Sequence, residues 1–479
     1  MLYFARSADP EHLESFPLNV VIIGAGFAGL SAAVRLSAAG VKVAVFEQAP
    51  RLGGRASAFT DKATGERVDN GQHVLFGCYR ETYAFLRTIG ADGLAPLQSR
   101  LHLPMADRTG QTIDLRCPNL PAPWHLLAGL LRWPALPLAD RMAALRVGHA
   151  IRRARRQGVD RAAAAVPADL TVTAWLDRLR QPRAVRDWLW HPLTFAALNQ
   201  SPDVAAAAPF VRVVAQLFGP EPDDSAVGLA RVPLDEMYAE PAVRFIESHG
   251  GTVNLKSPAT VLLDERGGVR GVRTPDGDVP ARHVISSVPW FAFADVWHDV
   301  PSSIAHVVRD ASTLASSPIV TVNLWFDAPV MSRPFVGLVD AAVHWAFDKA
   351  TLVGERATHL AVVTSAADHL AASDNDEVTR VTVEHLARAL PDVGRRRLLR
   401  SVVVREHRAT FSVAPGGPAR PGTDIGIPGF HLAGDWTDTG LPATIEGAVL
   451  SGHRAADRIL RAHPAADAAA PARMGSNQE

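Results

Sequence analysis

Residues 20–55 read VVIIGAGFAGLSAAVRLSAAGVKVAVFEQAPRLGGR, with two glycine clusters separated by one helix and one strand. Val20-Val21-Ile22-Ile23 is a β-branched run suited to a buried parallel strand. Gly24 then permits a tight turn, Gly26 lets backbone approach a pyrophosphate, and Gly29 lets the following helix pack closely on the strand. The helix is expected to run to about Ala39 with Gly40 as its cap, and Val41 to Phe46 to form a second strand ending at Glu47. A carboxylate there accepts hydrogen bonds from ribose hydroxyls and repels a 2′-phosphate. Strand, helix and acid in this order make the dinucleotide fingerprint far more specific than its glycines alone.

The second cluster, Arg51-Leu52-Gly53-Gly54-Arg55, separates two cofactors. A nicotinamide enzyme has no need of it, whereas a flavin dinucleotide lies extended and its pyrophosphate and ribityl chain must be covered from a second side. Paired glycines allow that approach, and an adjacent arginine offers a fork to phosphates. The expected cofactor is FAD. The spacing E-x-x-x-R-x-G-G-R resembles the amine oxidase and phytoene desaturase superfamily of flavoproteins.

The C-terminal part supplies a third element. Gly429 to Asp435 reads as a strand ending in Gly434 and an acid, which in such flavoproteins meets the ribityl or pyrophosphate region. Pro442, Ala443, Thr444 and Ile445 then precede an Ala-rich helix to about Leu460, whose free N–H groups would stabilise an anionic reduced flavin. Glu446 either joins this helix cap toward the cofactor or merely complements the helix dipole. The fold class is therefore α/β, with a discontinuous Rossmann-type FAD-binding domain (18–100, 235–290 and 405–462) and an inserted α+β substrate domain (101–234 and 291–404). In the middle return, Asp235 to His249 reads as a helix, Thr252 to Asp264 as a strand pair, and Ala281 to Pro289 as a buried strand. Residues 463–479 read as a low-complexity, disordered tail.

Composition narrows the classes. The 479-residue chain carries 49 basic and 49 acidic side chains, so nothing argues for nucleic acid. Its two cysteines, Cys78 and Cys117, suit a reducing cytoplasm rather than a disulfide framework. The first 18 residues do not read as a signal peptide, and no stretch is long and apolar enough for a membrane span. No histidine spacing suggests a metal site.

The string DNGQHVLFGCYRET (69–82) resembles the hydroxysqualene dehydroxylases of squalene and hopanoid biosynthesis, and more distantly the plant-type carotene desaturases. ARVPLDEMYAEPAVRFIESHGG, LTFAALNQSP and HLAGDWTDTGLPATIEGAVLSGHRAA extend the resemblance over about residues 19–460. It implies replacement of the hydroxyl of hydroxysqualene by hydrogen, with reduced flavin as hydride donor. The expected cofactor contacts are Gly24, Gly26, Phe27, Ala28, Gly29, Glu47, Gln48, Arg51, Gly53, Gly54, Arg55, Gly71, Gln72, His73, Val261 (through its backbone), Gly434, Asp435, Ala443, Thr444 and Ile445. An allylic alcohol also needs an acid to protonate the departing oxygen. His73 is the first candidate, with Asp69 orienting it or raising its pKa, and His191 is the second.

A thirty-carbon isoprenoid resists entering water by about 0.8 kcal/mol per methylene-sized group, so the enzyme is expected to work at the inner face of a membrane. Residues 121–158 offer a docking surface: Trp124, Leu127, Leu130, Leu131 and Trp133 for the interface, and Arg152, Arg153, Arg155 and Arg156 for lipid phosphates. The bland alternative is a core helix followed by a solvated basic one. Carotenoid desaturation by oxidised FAD is the runner-up function. An amine oxidase comes behind it, because neither an aromatic cage nor a lysine near the flavin can be located in the sequence. A cofactor-free isoprenoid-lipid escort is the reading from another class. Whether neighbouring squalene-pathway enzymes hand over the intermediate directly is left open by the sequence.

Overall fold

A computed structural model describes residues 19–354 and 358–463. The N-terminal stretch and the tail singled out above lie outside them, apart from His463. Val20 to Ile23 is buried as its composition demands, and the strand Asn19–Ile23 sits at the centre of a five-stranded sheet. Its neighbours are Lys42–Phe46 and His283–Ser286, with Thr252–Asn254 and Phe430–Leu432 outermost; every pairing is parallel. The strands come from the beginning, middle and end of the described chain.

The helix Phe27–Ala38 packs on this sheet beside the terminal helix Ile445–Ala462. Contact is possible only because small residues face each other. A Cβ on Gly452 would sit 2.2 Å from the Ala28 carbonyl oxygen, and one on Gly29 would sit 2.0 Å from the Gly24 oxygen. The first and last helices of the nucleotide layer therefore touch backbone to backbone. The two strands read between Thr252 and Asp264 do not pair with each other: Thr252–Asn254 joins the parallel sheet, while Thr260–Leu263 enters a three-stranded antiparallel sheet.

A second, seven-stranded sheet runs in the order Leu398–Phe411, Ser316–Phe326, Thr358–Ser365, Trp345–Asp348, Phe335–Leu338, His102–Ala106 and Thr112–Arg116. Alternation along Ser316–Phe326 assigns its two faces. Val320, Val322 and Leu324 pack under the helix Asn375–Ala389, with Val378 and Leu386 in the same core. Ile319 and Thr321 face the other way. Because Leu398–Phe411 pairs along Ser316–Phe326 as one strand, a domain boundary between residues 404 and 405 would cut it; the third return to the nucleotide layer starts after Phe411. Helices Trp124–Arg132, Leu138–Gln157, Val172–Arg178, His191–Leu198 and Ala207–Leu217 build a separate helical layer around Trp133, Trp190 and Phe210. Among the described residues, no helix is long and apolar enough to cross a membrane.

Candidate active site

The two glycine clusters meet. The Gly53 N–H donates to the Ala25 carbonyl at 3.0 Å, and a Cβ on Gly54 would lie 3.6 Å from Gly26 Cα. Gly53 and Gly54 have φ of +97° and +56°, so side chains there would strain the turn as well as fill the gap. Tyr238 fixes this arrangement from behind. Its ring stacks on Phe27, and its buried hydroxyl lies 2.9 Å from the Gly53 oxygen and 3.0 Å from that of Ala56.

Glu47 stands at the end of the second strand, as its position predicts, with its two carboxylate oxygens accepting from the Ala25 and Ala49 N–H groups at 2.8 Å. Opposite it, the Arg55 guanidinium bridges to Asp435 and to the Ala409 carbonyl, and lies over the Trp290 ring. The terminal helix points its N-terminus at the same space: Thr444 caps it by accepting the Gly447 N–H at 3.0 Å.

These groups border one cavity of about 1260 Å³, which continues from the glycine turns into the apolar space between the seven-stranded sheet and the helical layer. All the expected cofactor contacts line it except Gly29, Arg51 and Val261. Gly29 acts one step back, by letting the helix close on the turn. Arg51 is exposed. Val261 is buried in the core beneath, paired to Val272, and the neighbouring Pro258, Ala259 and Thr260 form the wall in its place.

The expected acid and its partner are separated by their contacts. Asp69 does not touch His73; it accepts from Lys349 Nζ at 2.8 Å and from the Leu234 N–H at 2.9 Å. Lys349 also donates to Gln72 Oε1 at 3.0 Å, and both charged side chains are buried. His73 lines the cavity with Nδ1 2.9 Å from the Gly71 oxygen. A carbonyl only accepts, so Nδ1 carries the proton and Nε2 is left as an acceptor. Burial lowers the His73 pKa against the opposing pulls of Gly71 and Asp69. A histidine in this state is a poor proton donor at neutral pH, which counts against its assignment as the acid.

His191 is not on the cavity wall and sits 3.4 Å from Asp187 on its own helix. Glu446 sits in the first turn of the terminal helix, as the dipole reading expects, and does not line the cavity. Its carboxylate accepts from the Glu81 and Thr82 N–H groups and the Thr82 hydroxyl, so it caps the helix Arg80–Thr88 and ties it to the terminal helix. Burial raises its pKa, in opposition to those hydrogen bonds.

Tyr238, Lys349 and the half-buried Glu406 on the cavity wall escaped the sequence reading. Tyr238 lies inside the quoted ARVPLDEMYAEP string, which signalled a family resemblance but no role. Lys349 carried no local signal; its partner is 280 residues away. It supplies a lysine close to the 69–73 segment, though its ammonium is held by Asp69 and Gln72 and does not line the cavity.

The 121–158 stretch divides its labour differently from the expected docking surface. Trp133 is core, and Leu127 and Leu130 are cavity wall. The exposed large apolar side chains of the stretch are Trp124, Leu138 and Met142, with Leu120 just before it. Trp124 also lines the cavity, as do Arg152, Arg155 and Arg156.

Comparison with known proteins agrees with this geometry. The family described as flavin containing amine oxidoreductase matches residues 27–460. The chain is 32% identical over 458 residues to a hydroxysqualene dehydroxylase of Sinorhizobium fredii, covering 93% of this chain and 99% of that protein. It is 26% identical over 489 residues to the 15-cis-phytoene desaturase of Glycine max, covering 95% and 81%. Among solved structures, an oxidoreductase from Methanosarcina mazei shares the fold with a TM-score of 0.70 at 19% identity, covering 92% of this chain and 100% of that one.

Proposed function

The chain belongs to the flavin containing amine oxidoreductase family, in its hydroxysqualene dehydroxylase branch, and on that premise we propose that this flavin-dependent oxidoreductase converts hydroxysqualene to squalene. The observation that carries the proposal is the continuity of the cavity, which joins a dinucleotide cradle to an apolar chamber walled by Leu127, Leu130, Phe335, Trp345 and Phe347. Such a chamber suits a long neutral hydrocarbon and offers little to a small amine.

The residues present fit FAD. The paired glycine turns leave backbone room on two sides, Glu47 stands where the adenosine ribose would be met, and Arg55, Asp435 and the capped helix N-terminus converge on the opposite end. Bound and reduced, FAD would supply the hydride that replaces the hydroxyl. The protein must hold the alcohol, exclude water and deliver a proton. His73, neutral and with Nε2 free to accept, serves as the acceptor that orients the substrate hydroxyl. The Lys349–Asp69–Gln72 network holds the segment that carries it.

A substrate this insoluble reaches the chamber from a lipid bilayer. Trp124, both exposed and part of the cavity wall, marks where the two meet; Leu138 and Met142 extend the apolar rim, and Arg152 and Arg156 face anionic phosphates.

The decisive experiment is anaerobic turnover of hydroxysqualene by protein carrying FAD reduced with deuterium at N5. The expected product is squalene with one deuterium on the carbon that bore oxygen. If no squalene forms and oxidised enzyme is instead reduced by phytoene, the desaturase alternative suggested by the Glycine max relative replaces this one.

A further inference from the structure

The face of the seven-stranded sheet turned away from the helix Asn375–Ala389 is the floor of the chamber. Strand register places Glu406 opposite Ile319 and Ile319 opposite Ser365, so these three form one row across the sheet, and all three line the cavity. The next row is Val404, Thr321 and Val363. Here the His73-bearing segment comes down on the sheet: a Cβ on Gly71 would lie 3.4 Å from Thr321 Oγ1. Rows on one face are about 7 Å apart, so Glu406 stands one row from that segment. Three residues further on, the Ala409 carbonyl receives Arg55, which ties the same strand to the cradle.

Among the described residues four carboxylates line the cavity, and three are accounted for. Glu47 is held by two backbone N–H groups, Asp435 is paired with Arg55, and Asp295 is exposed to solvent. Glu406 is half-buried, and its side chain makes no hydrogen bond or ion pair among the described residues. Ile319 lies beside it on the next strand, Thr321 and Val404 lie one row on, and Ser365 lies two strands away. No cation is committed to its carboxyl, which leaves it free to meet a polar group of a bound chain.

We propose that Glu406 is the catalytic proton donor to the leaving hydroxyl, an assignment that rests on the dehydroxylation reading. The carboxyl O–H bond breaks and its proton joins the substrate oxygen. The allylic C–O bond breaks with its electron pair, leaving as water. The carbon is made whole by the hydride of the reduced cofactor, so the substrate gains two electrons and Glu406 ends as a carboxylate, to be reprotonated from solvent. His73 orients the oxygen and Glu406 protonates it. A desaturase running on oxidised flavin has no departing oxygen and would not need this acid.

The test uses holoenzyme with Glu406→Gln and Glu406→Asp. Glu406→Gln is expected to keep its FAD and melting temperature but to slow anaerobic squalene formation by about a hundredfold or more. Glu406→Asp, which keeps a carboxyl, should restore part of the rate. Binding supplies a readout independent of turnover. A thirty-carbon isoprenoid amine should bind Glu406→Gln at least about tenfold more weakly than wild type, as a lost charged hydrogen bond requires, with the matching alcohol unaffected. A Glu406→Gln enzyme that turns over at the wild-type rate, or one that keeps the wild-type ratio of amine to alcohol affinity, overturns the assignment. Wild-type enzyme that forms no squalene overturns the reaction itself, and the amine comparison then still reports whether Glu406 faces the bound chain.

Discussion

Lys349 and Asp69 show how far a single residue's role can lie from its local signal. Asp69 was legible as part of a string beside the cofactor, and a carboxylate four positions before a histidine invites the idea of an acid–base pair. In the structure its charge is committed elsewhere, to an ammonium 280 residues away in sequence that is equally buried. Removing one partner leaves the other charged, buried and unpaired. Lys349→Met is therefore expected to destabilise the fold by about 3–5 kcal/mol, and Lys349→Met with Asp69→Leu by much less. Denaturant unfolding of the two variants checks this. Equal losses would mean that the pair acts through something other than its charges. The glycines, by contrast, were readable one at a time, because each answers a local question of backbone space. Glu406 was not readable, since what distinguishes it from other surface-strand acids is the absence of a partner and the row it occupies.

Elements were legible where a local pattern decided them. The strand, turn and helix from Asn19 to Ala38 follow from β-branching, glycine spacing and an alanine-rich face. The terminal helix follows from its capping residues. The helices of 121–158 were harder, since leucines facing a bilayer and leucines facing an internal chamber share one periodicity. Their separation gives a prediction at this scale. Replacing Trp124, Leu138 and Met142 together with Ser should weaken sedimentation with anionic liposomes and leave the FAD content unchanged. Replacing Leu127 and Leu130 should instead weaken binding of the isoprenoid while liposome binding persists. Liposome binding that depends on the second set and not the first would return the docking face to the helix side originally expected.

For the whole molecule, the sequence showed that the nucleotide layer must be discontinuous, but it misplaced the last return because Leu398–Phe411 continues without a break across the expected boundary. Strand partnership is a long-range property, and no local residue marks it. Stability against acid is another whole-molecule property. Burial pushes His344 down to about 4; His283 is also pushed to about 4, by burial and then by His463 and Arg282, and His431 to about 4 by burial and then by His283 and Arg458. These folded-state values lie below the ordinary histidine value of about 6.5. The native state thus binds fewer protons than the unfolded chain, and the stability involved is fully present above about pH 6.5 and is lost as pH falls toward 4. His344 shows the physical cause: its Nδ1 accepts the Ser365 N–H at 3.1 Å, which an imidazolium cannot do. Melting temperature should be flat above neutrality and decline from about pH 6.5 downward. His344→Gln, which keeps an acceptor and does not titrate, should decline less. An identical decline would remove His344 from the account.

The cradle is assembled from Gly24 and Gly434, 410 residues apart, and from a terminal helix that touches the first helix backbone to backbone. A ribosome delivers these parts in sequence, at roughly 5–20 residues per second. The fingerprint turn therefore waits about 20–80 s for the residues that complete its binding surface. Throughout that interval the nascent chain cannot close around its cofactor, and the apolar face of the helix Phe27–Ala38 has no terminal helix to cover it. Cofactor capture consequently waits for the helix Ile445–Ala462, whose arrival, rather than synthesis of the glycine loop, sets the moment at which the newborn enzyme turns yellow.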